Sequence, residues 1–351
     1  MIILKKILIF ILLIIPFNVF ATNSKSTIVM DYDSGRILYS KNSNKKSLIA
    51  STTKIMTCII TIENSNIEKE IEVGEEVLEM YGTNIYIEPG EKIKIIDLLY
   101  GLMLRSGNDA AETLAKNIFS SEEEFISKMN EKAKEIGMNN TIFNNPHGLD
   151  ENTKNYSTAH DMALLSRYAY NNKTYKKIIK TKKYIAKTNN KTYEWYNRMS
   201  LLNNYKYCRG GKNGYTPKAG KSLVSYASKD NMNLIIVTLE DNDIYDTHKN
   251  LYDKYFSTYK KYTIVDKKNF KVDKSLINKD VYIKNSFKYP LQKSELNKIY
   301  IIVQISNKSL KNEIGKVIIK LNNKEIGFLK IYSKEKEEEN FFQKIKKLFI
   351  R

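Results

Sequence analysis

Cysteine and histidine are scarce in this chain: Cys58 and Cys208, and His147, His160 and His248, among 351 residues. None of the five lies at metal-ligand spacing from another, so no metal is expected. Two cysteines so far apart make no disulfide framework and read as buried free thiols. No Gly-x-Ser-x-Gly elbow is present, so nothing recommends a Ser-His-Asp triad, although such triads assemble from distant positions. The histidines therefore read as structural. There is no phosphate-cradling Gly-rich loop. Nor is there an RNA-reading aromatic motif or zinc-finger spacing, which sets nucleic acid aside.

What the chain does have is ordinary globular composition, 42% hydrophobic and 28% charged, with a net charge of +19. Such a balance suits an anionic polymer or membrane. The lysines are spread along the chain, however, alongside abundant Ile, Asn and Tyr, and so read mainly as a compositional bias. Lys5 and Lys6 precede an apolar run at residues 7–17, followed by Val19-Phe20-Ala21. The run is shorter than the about 20 residues of a spanning helix. A basic start, a short apolar core and small residues at a cleavage position describe a signal peptide over 1–21, with a retained anchor as the alternative. The mature chain is then expected to start near Thr22 and to work outside the cytoplasm.

Strand patterns at 27–30 and 36–39 flank the turn Asp33-Ser34-Gly35. Apolar residues recur at helical intervals over 51–63, 93–115 (broken near 105–108), 122–136 and 161–170. Residues 144–150 are loop chemistry. Strand patterns return at 223–227 and 234–239 around Lys229-Asp230-Asn231. Helices enclosed between terminal strands predict an α+β domain with those strands in one sheet, over 22–259. Strand patterns at 299–305, 316–321 and 326–332 predict a small all-β, sandwich-like domain over 260–334. Past an acidic run (Glu335, Glu337, Glu338, Glu339), the hydrophobic residues Phe341, Phe342, Ile345, Leu348 and Phe349 form one helical stripe, with Lys344, Lys346, Lys347 and Arg351 largely elsewhere. This predicts an amphipathic helix over 335–351 that lies on a membrane surface, or else packs on the β domain.

Chemistry is concentrated in three short motifs. Ser51-Thr52-Thr53-Lys54 places a hydroxyl and an amine one helical turn apart, within proton-transfer reach. The lysine serves as a base only if burial or a neighbouring cation lowers its pKa. Ser-x-x-Lys recurs at Ser43, Ser257 and Ser333, but Ser51 opens an apolar helix. Ser106-Gly107-Asn108 follows at a helix break, and Lys212-Asn213-Gly214 just before a strand.

This order resembles the three-motif signature of the penicillin-recognising serine enzymes, Ser-x-x-Lys, Ser-x-Asn and Lys-Thr-Gly. The longer context is similar to one branch, the D-alanyl-D-alanine carboxypeptidases among the low-molecular-mass penicillin-binding proteins. The resembling segments are ASTTKIMT from Ala50, IEPGEKIKIIDLLYGLMLRSGNDAAETLA from Ile87, FNNPHGLD from Phe143, YSTAHDMALLS from Tyr156 and GKNGYTPKAGKSLVSYA from Gly211. The resemblance implies a penicillin-binding/β-lactamase-like transpeptidase domain, an antiparallel sheet flanked by helices. It further implies that Ser51 is the nucleophile on a stem peptide ending in D-Ala-D-Ala, with Lys54 as base and Ser106 as proton relay. Asn108, Lys212, Asn213, Gly214 and Tyr215 are implied to bind substrate, with backbone N–H groups of Ser51 and Tyr215 as the oxyanion hole. β-Lactams are implied covalent inhibitors, no cofactor is needed, and the site of action is the outer face of the cytoplasmic membrane or the cell wall. One departure stands out: the family carries threonine where this chain has Asn213. Two alternatives follow from the same motifs. One is a β-lactamase, for which Glu151-x-x-x-Asn155 supplies one lactamase spacing; the other is a catalytically silent wall-binding relative.

Overall fold

The computed structural model describes residues 23–274, 277, 279–310 and 312–333. The expected signal peptide and the expected tail helix lie outside the described residues.

In chain order the first strands are β1 (Ser26–Asp31), β2 (Ile37–Lys41) and β3 (Ser47–Leu48). A 3-10 turn over Ala50–Thr53 leads into α1 (Lys54–Asn64). The short pair β4 (Glu70–Glu72) and β5 (Lys92–Lys94) encloses a loop that carries a 3-10 turn. Then come α2 (Ile95–Tyr100), α3 (Asn108–Ile118), α4 (Glu122–Ile136), β6 (Tyr156–Ser157), α5 (Ala159–Ala169) and α6 (Lys173–Lys180). A hairpin of β7 (Lys183–Lys187) and β8 (Thr192–Tyr196) and a short α7 (Leu201–Asn204) precede β9 (Cys208–Thr216), β10 (Gly220–Lys229) and β11 (Met232–Leu239). Helix α8 (Ile244–Thr258) closes this part of the chain.

The expected joining of terminal strands is found: the main sheet runs β2-β1-β11-β10-β9, all antiparallel. All six residues of β1 are buried because the sheet is covered on both faces. Strand alternation divides its side chains. Ile28, Val224, Tyr226, Ile235 and Val237 join the large helical core, while Val29, Leu223, Leu234 and Ile236 pack under α8. Helix α1 is buried along its first eight residues and forms the centre of the helical layer, as expected of a helix apolar on all sides. Helix α4 spans the predicted residues. Ser121 caps its start by accepting from the Glu124 N–H (3.2 Å), and Gly137 ends it at φ 89°. Cys58 and Cys208 are both free and buried.

Two predictions need correction. Ser51 is not in the α-helix but in the 3-10 turn before it. Lys212-Asn213-Gly214 lies inside β9, the edge strand of the sheet, rather than ahead of a strand. A Gly-rich run with a lone central lysine shows no alternation, which hid a strand that is paired on one side only.

The remaining described chain forms β12 (Lys260–Val265), β13 (Val281–Ile283), β14 (Phe287–Leu291), β15 (Ile299–Leu310), β16 (Glu313–Leu321) and β17 (Lys324–Ser333). Strand β12 pairs with β14, and the other four make a sheet in the order β13-β17-β16-β15 over a core of Ile283, Val317, Ile319 and Ile331. Arg36, just before β2, reaches across to this part. Its guanidinium donates to Glu295 (2.5 and 3.1 Å) and to the Pro290 carbonyl (2.6 Å).

Candidate active site

The site begins with a strained turn. Ala50 sits at φ 44°, a left-handed conformation costly for a residue with a Cβ, and it swings the next residue, Ser51, into a half-exposed position. Two glycines make room for it. A Cβ on Gly148 would lie 2.0 Å from the Ala50 carbonyl oxygen, and one on Gly214 would lie 2.9 Å from the Ser51 nitrogen. In a 3-10 turn residues i and i+3 eclipse, which stacks Ser51 on Lys54. Lys54 Nζ is 3.0 Å from Ser51 Oγ.

Lys54 is fully buried. Its amine also donates to Asn108 Oδ1 (2.6 Å) and to the His147 carbonyl (2.7 Å). The orientation of the Asn108 amide is fixed from the other side, because its Nδ2 must donate to the Tyr81 carbonyl (2.7 Å). These partners have a chemical consequence. Two of the three are oxygens that only accept, so they take two N–H bonds from Lys54. The third, the Ser51 hydroxyl, is the one partner able to donate. An ammonium donating to all three fits this set, and so does a neutral amine, with two protons and a lone pair, which would take its third bond from the Ser51 hydroxyl. Burial above all, and then the charge of Lys212, hold the Lys54 pKa well below its ordinary value, with Asp109 opposing them. The turn thus accommodates the base form, and burial and the Lys212 charge favour it.

Ser106 follows a π-helical turn over Gly101–Arg105 and adopts φ 69°, ψ 33°, the left-handed residue that breaks the helical run at the predicted place. Lys212, buried on β9, donates to Ser106 Oγ (3.0 Å) and to the Asn213 carbonyl (2.6 Å). Burial, with a contribution from Arg198, lowers its pKa to about 7. Alternation along β9 puts Asn213 on the other face, beside α8, where its amide donates to the Tyr245 hydroxyl (3.3 Å). Tyr215 is exposed next to Gly214. Ser51, Lys54 and Asn108 are therefore joined by hydrogen bonds. Ser106 and Lys212 form a second pair, coupled to the first through the field of Lys212, and Asn213 turns away.

Several participants escaped the sequence reading. Asp109, 1% exposed, accepts from the N–H groups of Ile85 (3.0 Å), Tyr86 (2.7 Å) and Ala110 (2.8 Å), pinning the loop whose Tyr81 and Thr83 carbonyls hold Asn108. Its signal was its place directly after Ser-x-Asn. His147 contributes a carbonyl, not an imidazole. Burial and the Lys54 charge lower its ring pKa to about 3, and its Nδ1 accepts from the Leu149 N–H (3.0 Å). His248, fully buried, bonds Ser225 (2.6 Å) and Thr238 (3.1 Å), in keeping with a structural role. In Glu151-x-x-x-Asn155 the two ends point to different tasks. Asn155 donates to Thr53 Oγ1 and to the Asn145 carbonyl, both at 3.0 Å, while Glu151 is exposed and its charge, second to burial, raises the pKa of the Tyr81 hydroxyl. Among the described residues no group of three or more His, Cys, Asp or Glu is placed to hold a metal ion.

An antiparallel sheet with a helical layer, and a serine–lysine turn beneath an edge strand bearing a second buried lysine, define the penicillin-binding class of folds. Penicillin-binding protein 5 of Haemophilus influenzae shares this fold with a TM-score of 0.75 at 23% identity, covering 89% of this chain and 96% of that one. The D-alanyl-D-alanine carboxypeptidase DacD of Francisella tularensis gives 0.71 at 25% identity over 89% and 93%. The chain belongs to the D-alanyl-D-alanine carboxypeptidase family, whose sequence model matches residues 17–243. It is 37% identical to the D-alanyl-D-alanine carboxypeptidase DacF of Bacillus subtilis over 223 residues, 62% of this chain. It is 33% identical to that of Streptomyces sp. strain K15 over 61% of this chain and 80% of the relative. The match spans little more than half, 57%, of the Bacillus protein.

Proposed function

We propose that the protein is a serine-type carboxypeptidase that removes the terminal D-alanine from peptidoglycan stem pentapeptides. The observation that carries the reading is the buried Lys54 amine 3.0 Å from Ser51 Oγ, with its other two partners fixed as acceptors. Ser51 Oγ attacks the carbonyl between the two D-alanines while its proton passes to Lys54. The oxyanion is received by the N–H groups of Ser51 and Tyr215, a role supported by the close approach of Gly214 to the Ser51 nitrogen. Ser106 relays a proton to the departing D-alanine amine, and water then hydrolyses the Ser51 ester. Lys212 attracts the substrate's terminal carboxylate, Asn108 holds its amide, and Gly214 keeps the strand edge open. Asn213 contributes through its link to Tyr245 rather than as a free hydroxyl-like donor.

The reading extends to the rest of the chain. Segment 1–21 exports the chain, 335–351 attaches it to the membrane surface, and 260–334 forms the small β domain between. β-Lactams acylate Ser51 because they present a strained amide to the same nucleophile.

The test is mass spectrometry of the protein treated with penicillin. A long-lived adduct on Ser51 is expected, together with loss of D-alanine release from diacetyl-Lys-D-Ala-D-Ala on Ser51→Ala. Undiminished release by that variant overturns the assignment. Rapid turnover of penicillin would instead indicate a β-lactamase, and no labelling a silent relative.

A further inference from the structure

The crevice has a direction along β9. Lys212, Gly214 and Thr216 share one face of the strand, so successive positions are about 6.6 Å apart. At one end Lys212 bonds Ser106. In the middle Gly214 touches the Ser51 turn. At the other end Thr216 donates to the buried Asp150 carboxylate (2.5 Å), and the next residue, Glu151, is exposed. The opposite wall arrives at the same place. Asn108 holds the Tyr81 carbonyl, a Cβ on Gly82 would lie 3.6 Å from Leu149, and the charges of Glu151 and Asp150, after burial, raise the pKa of the Tyr81 hydroxyl on this wall. A cationic end, a nucleophile and a carboxylate end therefore follow one another along a single strand. Lys218, also at this end, donates to the Asp150 carbonyl (3.4 Å).

A peptide ending in D-Ala-D-Ala has matching polarity. With its terminal carboxylate toward Lys212 and the scissile carbonyl at Ser51, the residue before the two alanines falls near Thr216. In a stem peptide that residue is a diamino acid with a side-chain amine. We propose that Glu151, held at the Thr216 end by the anchored Asp150 before it, determines specificity for that amine, so that stems with a free side-chain amine are preferred over stems acylated there, as in cross-links. This inference rests on the carboxypeptidase reading above.

The experiment compares Nα-acetyl-Lys-D-Ala-D-Ala with its Nα,Nε-diacetyl counterpart. Calorimetric binding to the full chain carrying Ser51→Ala reads the preference without turnover. The free amine is expected to bind about threefold to fivefold tighter, the range of one exposed charge pair. The advantage should shrink in 1 M salt, where charges are screened. Adding Glu151→Gln should bring the two peptides to equal affinity without weakening the diacetyl peptide, and leave penicillin acylation of the Ser51 protein unchanged. Equal affinities with Glu151 present, or a preference surviving Glu151→Gln, overturn the proposal. Failure of the Ser51 protein to hydrolyse either peptide would sink the carboxypeptidase reading instead.

Discussion

The crevice and the seam around Arg36 both bury cations, and they do so in opposite ways. At the seam the Arg36 guanidinium meets the Glu295 carboxylate in a two-pronged pair and lies 5.3 Å from the rings of Tyr259 and Tyr289. Burial works against its charge, yet Glu295 raises its pKa above the ordinary value. In the crevice, Lys54 and Lys212 are more deeply buried, and every hydrogen-bond partner found for them is a neutral oxygen. A charged partner repays desolvation and fixes the proton in place, whereas neutral partners leave the proton loosely held. The first arrangement serves architecture and the second serves proton transfer.

The largest expected effect follows from this contrast. Lys54→Met removes the base while keeping the volume, and acylation of Ser51 by penicillin is expected to slow by about 10²–10⁴-fold. Stopped-flow labelling checks this, and a rate within a factor of three of the native protein's would mean that Lys54 is merely structural. At the seam, Arg36→Met leaves Glu295 without its cation and is expected to cost about 2–3 kcal/mol in chemical denaturation. Acylation should hardly change. A variant as stable as the parent would erase the distinction between the two kinds of cation.

The main sheet was legible because β1, β10 and β11 are apolar and bounded by turn residues, and α4 because it carries both its caps. The Ser51 turn was legible in its residues but not in its backbone. Its 3-10 form depends on Gly148 and Gly214, distant in sequence, leaving space for Ala50 and Ser51. Helices α6 and α8 and the β7–β8 hairpin went unread. Their lysines and tyrosines look polar in sequence, yet Tyr175, Tyr252 and Trp195 are buried by tertiary packing. The three motifs revealed which side chains converge. That Asn213 faces α8 follows from strand alternation, which could be applied only once β9 was known to include it.

A sharper comparison comes from stability. Lys212 carries a pKa of about 7 when folded, whereas an unfolded lysine titrates near 10.4. Between these values the unfolded chain binds more protons, so native stability rises with pH, by up to about 1.4 kcal/mol per unit. Below pH 7 both states are charged and the burial penalty is felt in full. Lys212→Met should therefore be more stable than the parent at pH 6, by about 1–3 kcal/mol, and the gap should close as pH rises through 7 to 10.4. Parallel denaturation curves at pH 6 and 9 measure it. A gap that widened with pH would show that Lys212 is stabilised as a cation, like Arg36.

The smallest effect concerns Asp109, the carboxylate whose field opposes discharge of Lys54. Asp109→Asn removes that negative charge, so the Lys54 pKa falls further and the base form persists to lower pH. The acidic limb of the penicillin acylation profile is then expected to move down by about half a pH unit, the size of a modest charge–charge interaction of under 1 kcal/mol. The maximal rate should drop as well, because an amide accepts fewer of the N–H bonds that Ile85, Tyr86 and Ala110 donate, loosening the loop that holds Asn108. The two consequences separate in the data, since positioning changes the height of the profile and charge moves its limb. A lowered profile with an unmoved limb would leave Asp109 a purely mechanical role, and the neutral partners of Lys54 would then suffice to set its protonation.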